Sequence, residues 1–217
     1  MNIRFYFVLI FLFGLLFSCS KSDQVKNNFQ QKSRISTDTI IIDCNYTFEQ
    51  AISGTNAPKY IIDQLELITV HYYAMDGRLH RGQILTNKLI ANDLRVIFRD
   101  ILQSKFPIAK VIPVVKYEWN DEASMNDNNT YSFCYRNADY SKHAYGLAID
   151  INPMQNPNRW KPEFAFRKNK PEGAVYDSVA PGTFVPNHPI VLLFADKGFL
   201  WGRHFKRNYD DHHFEKK

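Results

Sequence analysis

The stretch Leu147-Ala148-Ile149-Asp150-Ile151-Asn152-Pro153 alternates large apolar side chains with small or polar ones. That alternation limits it to a strand with one buried face. Leu147, Ile149 and Ile151 turn to the core, and Asp150 turns to the opposite side. A carboxylate placed there needs a partner. His143 stands seven residues earlier, an odd spacing that puts it on the wrong face of an unbroken strand, but Gly146 lets the chain turn between them. His143 and Asp150 can therefore converge on one point.

The surrounding chain supplies the other layers. Leu65–Ala74 is rich in β-branched and aromatic residues and leads through Asp76-Gly77 into Arg78–Leu85, which predicts a hairpin. Thr86 can cap a helix in which Ile90, Leu94, Ile97, Phe98 and Ile101 recur at spacings of three and four, one buried face that covers a sheet. Val111–Trp119 reads as a further strand, with Pro113 near its start or on an edge. Seven of the ten prolines fall between Pro153 and Pro189, so this part is an irregular excursion, either the wall of a site or an insertion. A short helix over Ile190–Asp196, stopped by Gly198, follows. A hairpin, then a helix, then further strands without regular alternation predict an α+β domain, a small and mainly antiparallel sheet with flanking helices.

Nothing in the sequence breaks this domain between residue 40 and the end, and 45% apolar residues suffice for its core. The 217-residue chain carries a net charge of +5 that is spread along its length, so no nucleic-acid surface is expected. No Walker loop, dinucleotide glycine fingerprint or Gly-x-Ser-x-Gly elbow occurs, which argues against nucleotide chemistry and serine hydrolysis. Before residue 40 the character changes. Arg4 precedes an apolar run from Phe5 to Phe17, shorter than the roughly 20 residues of a spanning helix. Residues 1–18 read as a signal peptide, and Leu16-Phe17-Ser18-Cys19 resembles the lipobox of bacterial lipoproteins, which implies an exported protein anchored to a membrane by a lipid on Cys19. Residues 19–39 form a polar tether. Cys44 and Cys134 remain, either as a disulfide of an oxidising compartment or as two buried thiols.

An imidazole and a carboxylate on a rigid strand are two ligands of a zinc site, which needs a third from the protein. Tyr209-Asp210-Asp211-His212-His213-Phe214-Glu215 offers it. The spacing of Asp210 and His213 lets a tight bend put both on one side, His213 on the metal and Asp210 handling a proton. His212 would break that spacing, and Asp211 has no assigned part, so Asp211→Asn is expected to be nearly silent in turnover. The pattern Ser141, His143, Gly146, Ala148, Asp150, with its closing acid-x-x-His pair, resembles the zinc D-alanyl-D-alanine carboxypeptidase and L-alanyl-D-glutamate peptidase family, whose fold is that of the hedgehog signalling domain. Asn128-Asn129-Thr130 to Arg136 and Gly198-Phe199 to Trp201-Gly202 are similar to its vancomycin-resistance carboxypeptidase-like branch, extending the likeness over most of Leu65–Glu215. The resemblance implies zinc on His143, Asp150 and His213, Asp210 as catalytic acid-base, and Arg136 as the group that polarises the substrate. It further implies a metallopeptidase acting on peptidoglycan stem peptides, as a D-alanyl-D-alanine carboxypeptidase. An L-alanyl-D-glutamate endopeptidase and a non-catalytic zinc-containing cell-wall module are the rival readings. Ser141 is expected to hydrogen-bond beside the ligands, while Phe199 and Trp201 are expected in the core.

Overall fold

Leu65–Tyr73 and Leu79–Asn87, strands β2 and β3 of the chain, pair antiparallel over their whole length, from Leu65 opposite Asn87 to Tyr73 opposite Leu79. The predicted hairpin is therefore present, and its turn places Gly77 at a φ of +77°, which suits a residue without Cβ. The computed structural model describes residues 39–138 and 140–217. The residues read as a signal peptide, Cys19 and those read as a tether up to residue 38 lie outside the described residues.

The helix Lys88–Ser104 packs on this hairpin, and each residue of its apolar stripe, Ile90, Leu94, Ile97, Phe98 and Ile101, is at most 2% exposed. Ile68, Val70, Tyr72 and Ile84 meet it from the sheet. Truncating such a residue costs about 2–5 kcal/mol, so this layer fixes the scaffold on which the rest is hung. Its cap differs from expectation. Asn87 Oδ1 accepts from the Leu89 N–H at 3.0 Å, whereas Thr86 is still a strand residue whose hydroxyl lies 2.8 Å from Ser132 Oγ. The Thr86 hydroxyl is also within 3.1 Å of the Gly146 carbonyl, so it is engaged elsewhere and the last residue of the strand does the capping.

The expected strand over Val111–Trp119 shrinks to Lys110–Val111, β4, which runs parallel to Asn129–Thr130, β5. Pro113 has no N–H to continue the ladder, its carbonyl accepts from Lys116 N in a 3-10 turn over Val114–Tyr117, and Glu118 and Trp119 both have positive φ. β1, Ile41–Ile42, joins β3 in parallel. Cys44 and Cys134 are free, each thiol buried and directed at a different carbonyl, Val111 and Trp119 respectively.

The second sheet matters most for chemistry. His213–Lys216, β10, lies between Ala148–Asp150, β6, and Phe199–Trp201, β8, antiparallel to both. Ile149 and Phe214 face each other across β6 and β10 and enter the core, where Phe214 stacks on Phe194 of the helix Pro189–Asp196 at 4.0 Å between centroids. Phe199 and Trp201 are core residues, as expected. Asp150 and His213, also directly opposed, point the other way. The long excursion is more ordered than its prolines imply, because Asn158–Trp160, β7, pairs antiparallel with Asn208–Asp210, β9, and makes the excursion a wall of the site. Four of the six strand pairings are antiparallel, and with the flanking helices this is the α+β architecture expected.

Candidate active site

Three devices bring the site together. The 3-10 turn Lys142–Tyr145 carries His143, and it ends at Gly146 with a φ of +66°, the turn required to bring His143 back over Asp150. A Cβ on Gly146 would also stand 2.8 Å from Asn87 N. The β6–β10 register sets Asp150 opposite His213. Behind both, Gly202 lets the chain pass so closely that a Cβ there would lie 2.7 Å from the Asp210 carbonyl and 3.1 Å from the His213 Cβ. Any larger residue would displace the bend Asp210–His213.

His143 Nε2, Asp150 Oδ1 and His213 Nδ1 consequently form a buried triangle with edges of 3.1, 3.1 and 2.9 Å. The outer atoms fix the character of the inner ones. His143 Nδ1 donates to the Ser132 carbonyl at 2.7 Å, and His213 Nε2 donates to Glu215 Oε2 at 3.1 Å. Each neutral ring has one N–H, already used outward, so two nitrogen lone pairs and a carboxylate oxygen point at one another. Such a centre calls for a cation, and the edges approach the roughly 3.3 Å between ligand atoms in a tetrahedron with bonds of about 2.0–2.1 Å. Among the described residues this is the cluster that could hold a metal ion. Burial alone would depress the His213 pKa, but its hydrogen bonds to Asp150 and Glu215 outweigh this and raise it to about 10. Burial would likewise raise Asp150, yet His143 and His212 hold its carboxyl well below the usual range.

Asp210 reaches the same cavity, an open hollow of about 500 Å³, from the end of β9, with its side chain 15% exposed. Its Oδ2 accepts from Asn158 Nδ2 at 3.0 Å, and its Oδ1 lies 2.9 Å from His212 Nε2, off the axis of a hydrogen bond. His212 is not a corner of the triangle. Its Nδ1 donates to the Asn156 carbonyl at 2.8 Å, and its Nε2 stands between Asp210 and, at 3.7 Å, Asp150 Oδ2. Desolvation is overcome by these two carboxylates, which raise its pKa to about 9.

Arg136 also lines the cavity. Its Nη1 pairs with Asp121 Oδ2 at 2.9 Å, and Asp121 also accepts from the buried Tyr131 hydroxyl. The Nε and Nη2 groups of Arg136 are shielded from solvent and have no acceptor among the described residues. Unpaired donors of this kind are costly unless an incoming anion or carbonyl oxygen takes them. Ser141 borders the same cavity.

Sequence reasoning brought these residues to one point but missed what holds them. Asp211 is a correction: it is fully buried, its Oδ2 receiving Arg159 Nη2 at 2.6 Å and Arg159 Nε at 3.1 Å, its Oδ1 receiving Arg203 Nη1 at 2.7 Å. The Arg159 guanidinium lies over Tyr176 at 4.3 Å, so the carboxylate ties the long excursion to the bend Asp210–His213. Glu215 could have been found, since on a strand it shares a face with His213. Asn158 and Arg159 carried no such signal, because they reach the site only through the β7–β9 pairing.

Residues 135–216 match the family described as D-alanyl-D-alanine carboxypeptidase, a shorter span than the Leu65–Glu215 of the sequence resemblance but one that contains each of the six residues just described from Arg136 through His143, Asp150, Asp210, His212 and His213. The resemblance read from the sequence is borne out over that span. No curated protein and no solved structure matches the chain.

Proposed function

We propose that this chain, a peptidase of the D-alanyl-D-alanine carboxypeptidase family by its residues 135–216, is a zinc-dependent enzyme that removes the terminal D-Ala from peptidoglycan stem peptides. The observation that carries the reading is the convergence of two imidazole lone pairs and a carboxylate in a cavity bordered by a second carboxylate and by the unpaired donors of an arginine. A closed structural site would not need the last two.

Zinc on His143, Asp150 and His213 would supply a Lewis acid and bring the pKa of water toward about 7. The chain's own groups handle the rest. Asp210 accepts a proton from the attacking water as it adds to the scissile carbonyl and delivers that proton to the amine nitrogen of the departing D-Ala. Arg136 Nε and Nη2 receive substrate oxygen, the terminal carboxylate of the peptide, in a bidentate contact held in place by Asp121. Asp210 is one methylene shorter than a glutamate would be. The lipid on Cys19 and the export signal complete the proposal, since an anchored enzyme stays beside the wall that it trims.

Amidating the C-terminus of a pentapeptide ending in D-Ala-D-Ala removes the anion that Arg136 meets. The expected result is a loss of kcat/KM of at least about tenfold in the intact protein, with Arg136→Ala cleaving free and amidated peptides at nearly the same rate. Equal cleavage of both by the unaltered enzyme, or a cut next to D-Glu, would replace this assignment with the endopeptidase reading.

A further inference from the structure

Asn158 lies on β7 directly opposite Asp210 of β9. Its Nδ2 donates to Asp210 Oδ2 at 3.0 Å, while its own Oδ1 accepts from Asn208 Nδ2 at 3.0 Å. Asn208 and Asp210 are two apart on β9 and so share a face, with the Asn158 amide between them. An amide nitrogen can only donate, so Asn208 fixes which end of Asn158 meets the carboxylate. The backbone of Asn158 is held as well, exchanging N–H to carbonyl bonds of 2.7 and 3.0 Å with Lys170.

We propose that Asn158 is a positioning residue for proton transfer, holding the Asp210 carboxylate by its Oδ2 through an amide locked by Asn208. This rests on the proton-handling role of Asp210 given above. A neutral donor suits the task. A lysine or arginine in its place would bind the carboxylate as an ion pair and make it a weaker base, whereas an amide orients it at a smaller cost in basicity. The charged groups that face Asp210 come from other elements, His212 from the turn at 2.9 Å and His213 from β10, with Asp150 of β6 beyond His212. The ammonium of Lys170 is turned to Glu122 at 3.4 Å.

The test compares Asn158→Ala, Asn158→Asp and Asn208→Ala with the unaltered zinc-loaded enzyme on the free pentapeptide, measuring zinc content, kcat and KM. A misdirected carboxylate lowers kcat while zinc content and KM hold, a split that a merely structural defect would not give. Asn158→Ala is expected to keep its zinc and a KM within about twofold while kcat falls roughly tenfold, with a larger fall in Asn158→Asp, where two carboxylates meet. Asn208→Ala should lower kcat in the same way by less. An unchanged kcat in Asn158→Ala, or a loss matched by a rise in KM or a loss of zinc, overturns the proposal. Full activity in Asp210→Asn would instead remove the reading on which it rests.

Discussion

Replacing His143, Asp150 or His213 by alanine is expected to empty the metal centre and to lower hydrolysis by about three orders of magnitude or more, because two protein ligands do not make a tight catalytic zinc site. The three proposed ligand atoms come from a 3-10 turn, from β6 and from β10, with His143 and His213 each aimed by its own outer hydrogen bond. Removing one therefore does not let another take over. His212 is the informative control. It is as buried as the ligands and next to one of them, but its Nδ1 is engaged by Asn156 and its Nε2 faces Asp210 and Asp150 Oδ2, outside the triangle. His212→Ala should retain zinc. Metal content of the four purified variants decides the matter, and a loaded His213→Ala beside an empty His212→Ala would exchange their roles.

The second large effect is on stability. Asp211→Ala leaves the guanidinium groups of Arg159 and Arg203, both about three-quarters buried, facing each other across the space of a lost carboxylate. Breaking a buried ion pair from one side costs about 3–5 kcal/mol, chiefly because the remaining charge is uncompensated. For a domain of this size that corresponds to a fall in Tm on the order of 10 °C. Arg159→Ala should cost less, since Arg203 still satisfies one oxygen of Asp211 and the removed charge was itself partly solvated. Thermal unfolding followed by circular dichroism, with zinc in excess for every variant, gives the comparison. A Tm within about two degrees of the unaltered protein in Asp211→Ala would contradict the clamp.

How far the sequence was legible follows from which forces were local. The stripe Ile90 to Ile101 and the alternation around Asp150 are periodic patterns with one physical meaning each, and both the helix and the strand stand where those patterns put them. The hairpin was legible because Asp76-Gly77 is a turn on its own. The end of β3 was not. Thr86 and Asn87 are both good caps, and the choice between them is made by Ser132 and Gly146, distant residues that engage the Thr86 hydroxyl. The same holds for Val111–Trp119, where strand-forming residues are overruled by Pro113 and by left-handed backbone at Glu118 and Trp119. In the site, the acid-x-x-His spacing and Gly146 were enough to place Asp150, His143 and His213 near one another. Asp211 was misjudged because its neighbours in sequence say nothing of Arg159 or Arg203. Asp211 and Arg159 meet through the pairing of a three-residue strand inside a proline-rich excursion, whose prolines argued for irregularity. Long-range partners of a charged residue leave no local signature, and they are what hold this bend in shape.

The central claim is that this chain hydrolyses the terminal D-Ala-D-Ala bond with a metal held by His143, Asp150 and His213. The most direct measurement incubates the intact protein with a synthetic stem pentapeptide ending in D-Ala-D-Ala, before and after chelation and again after zinc is restored, and weighs the products. The expected result is the loss of a single alanine from the C-terminus, abolished by the chelator and recovered with zinc. An intact pentapeptide after zinc loading, a product cut beside D-Glu, or D-Ala release that survives chelation would contradict it.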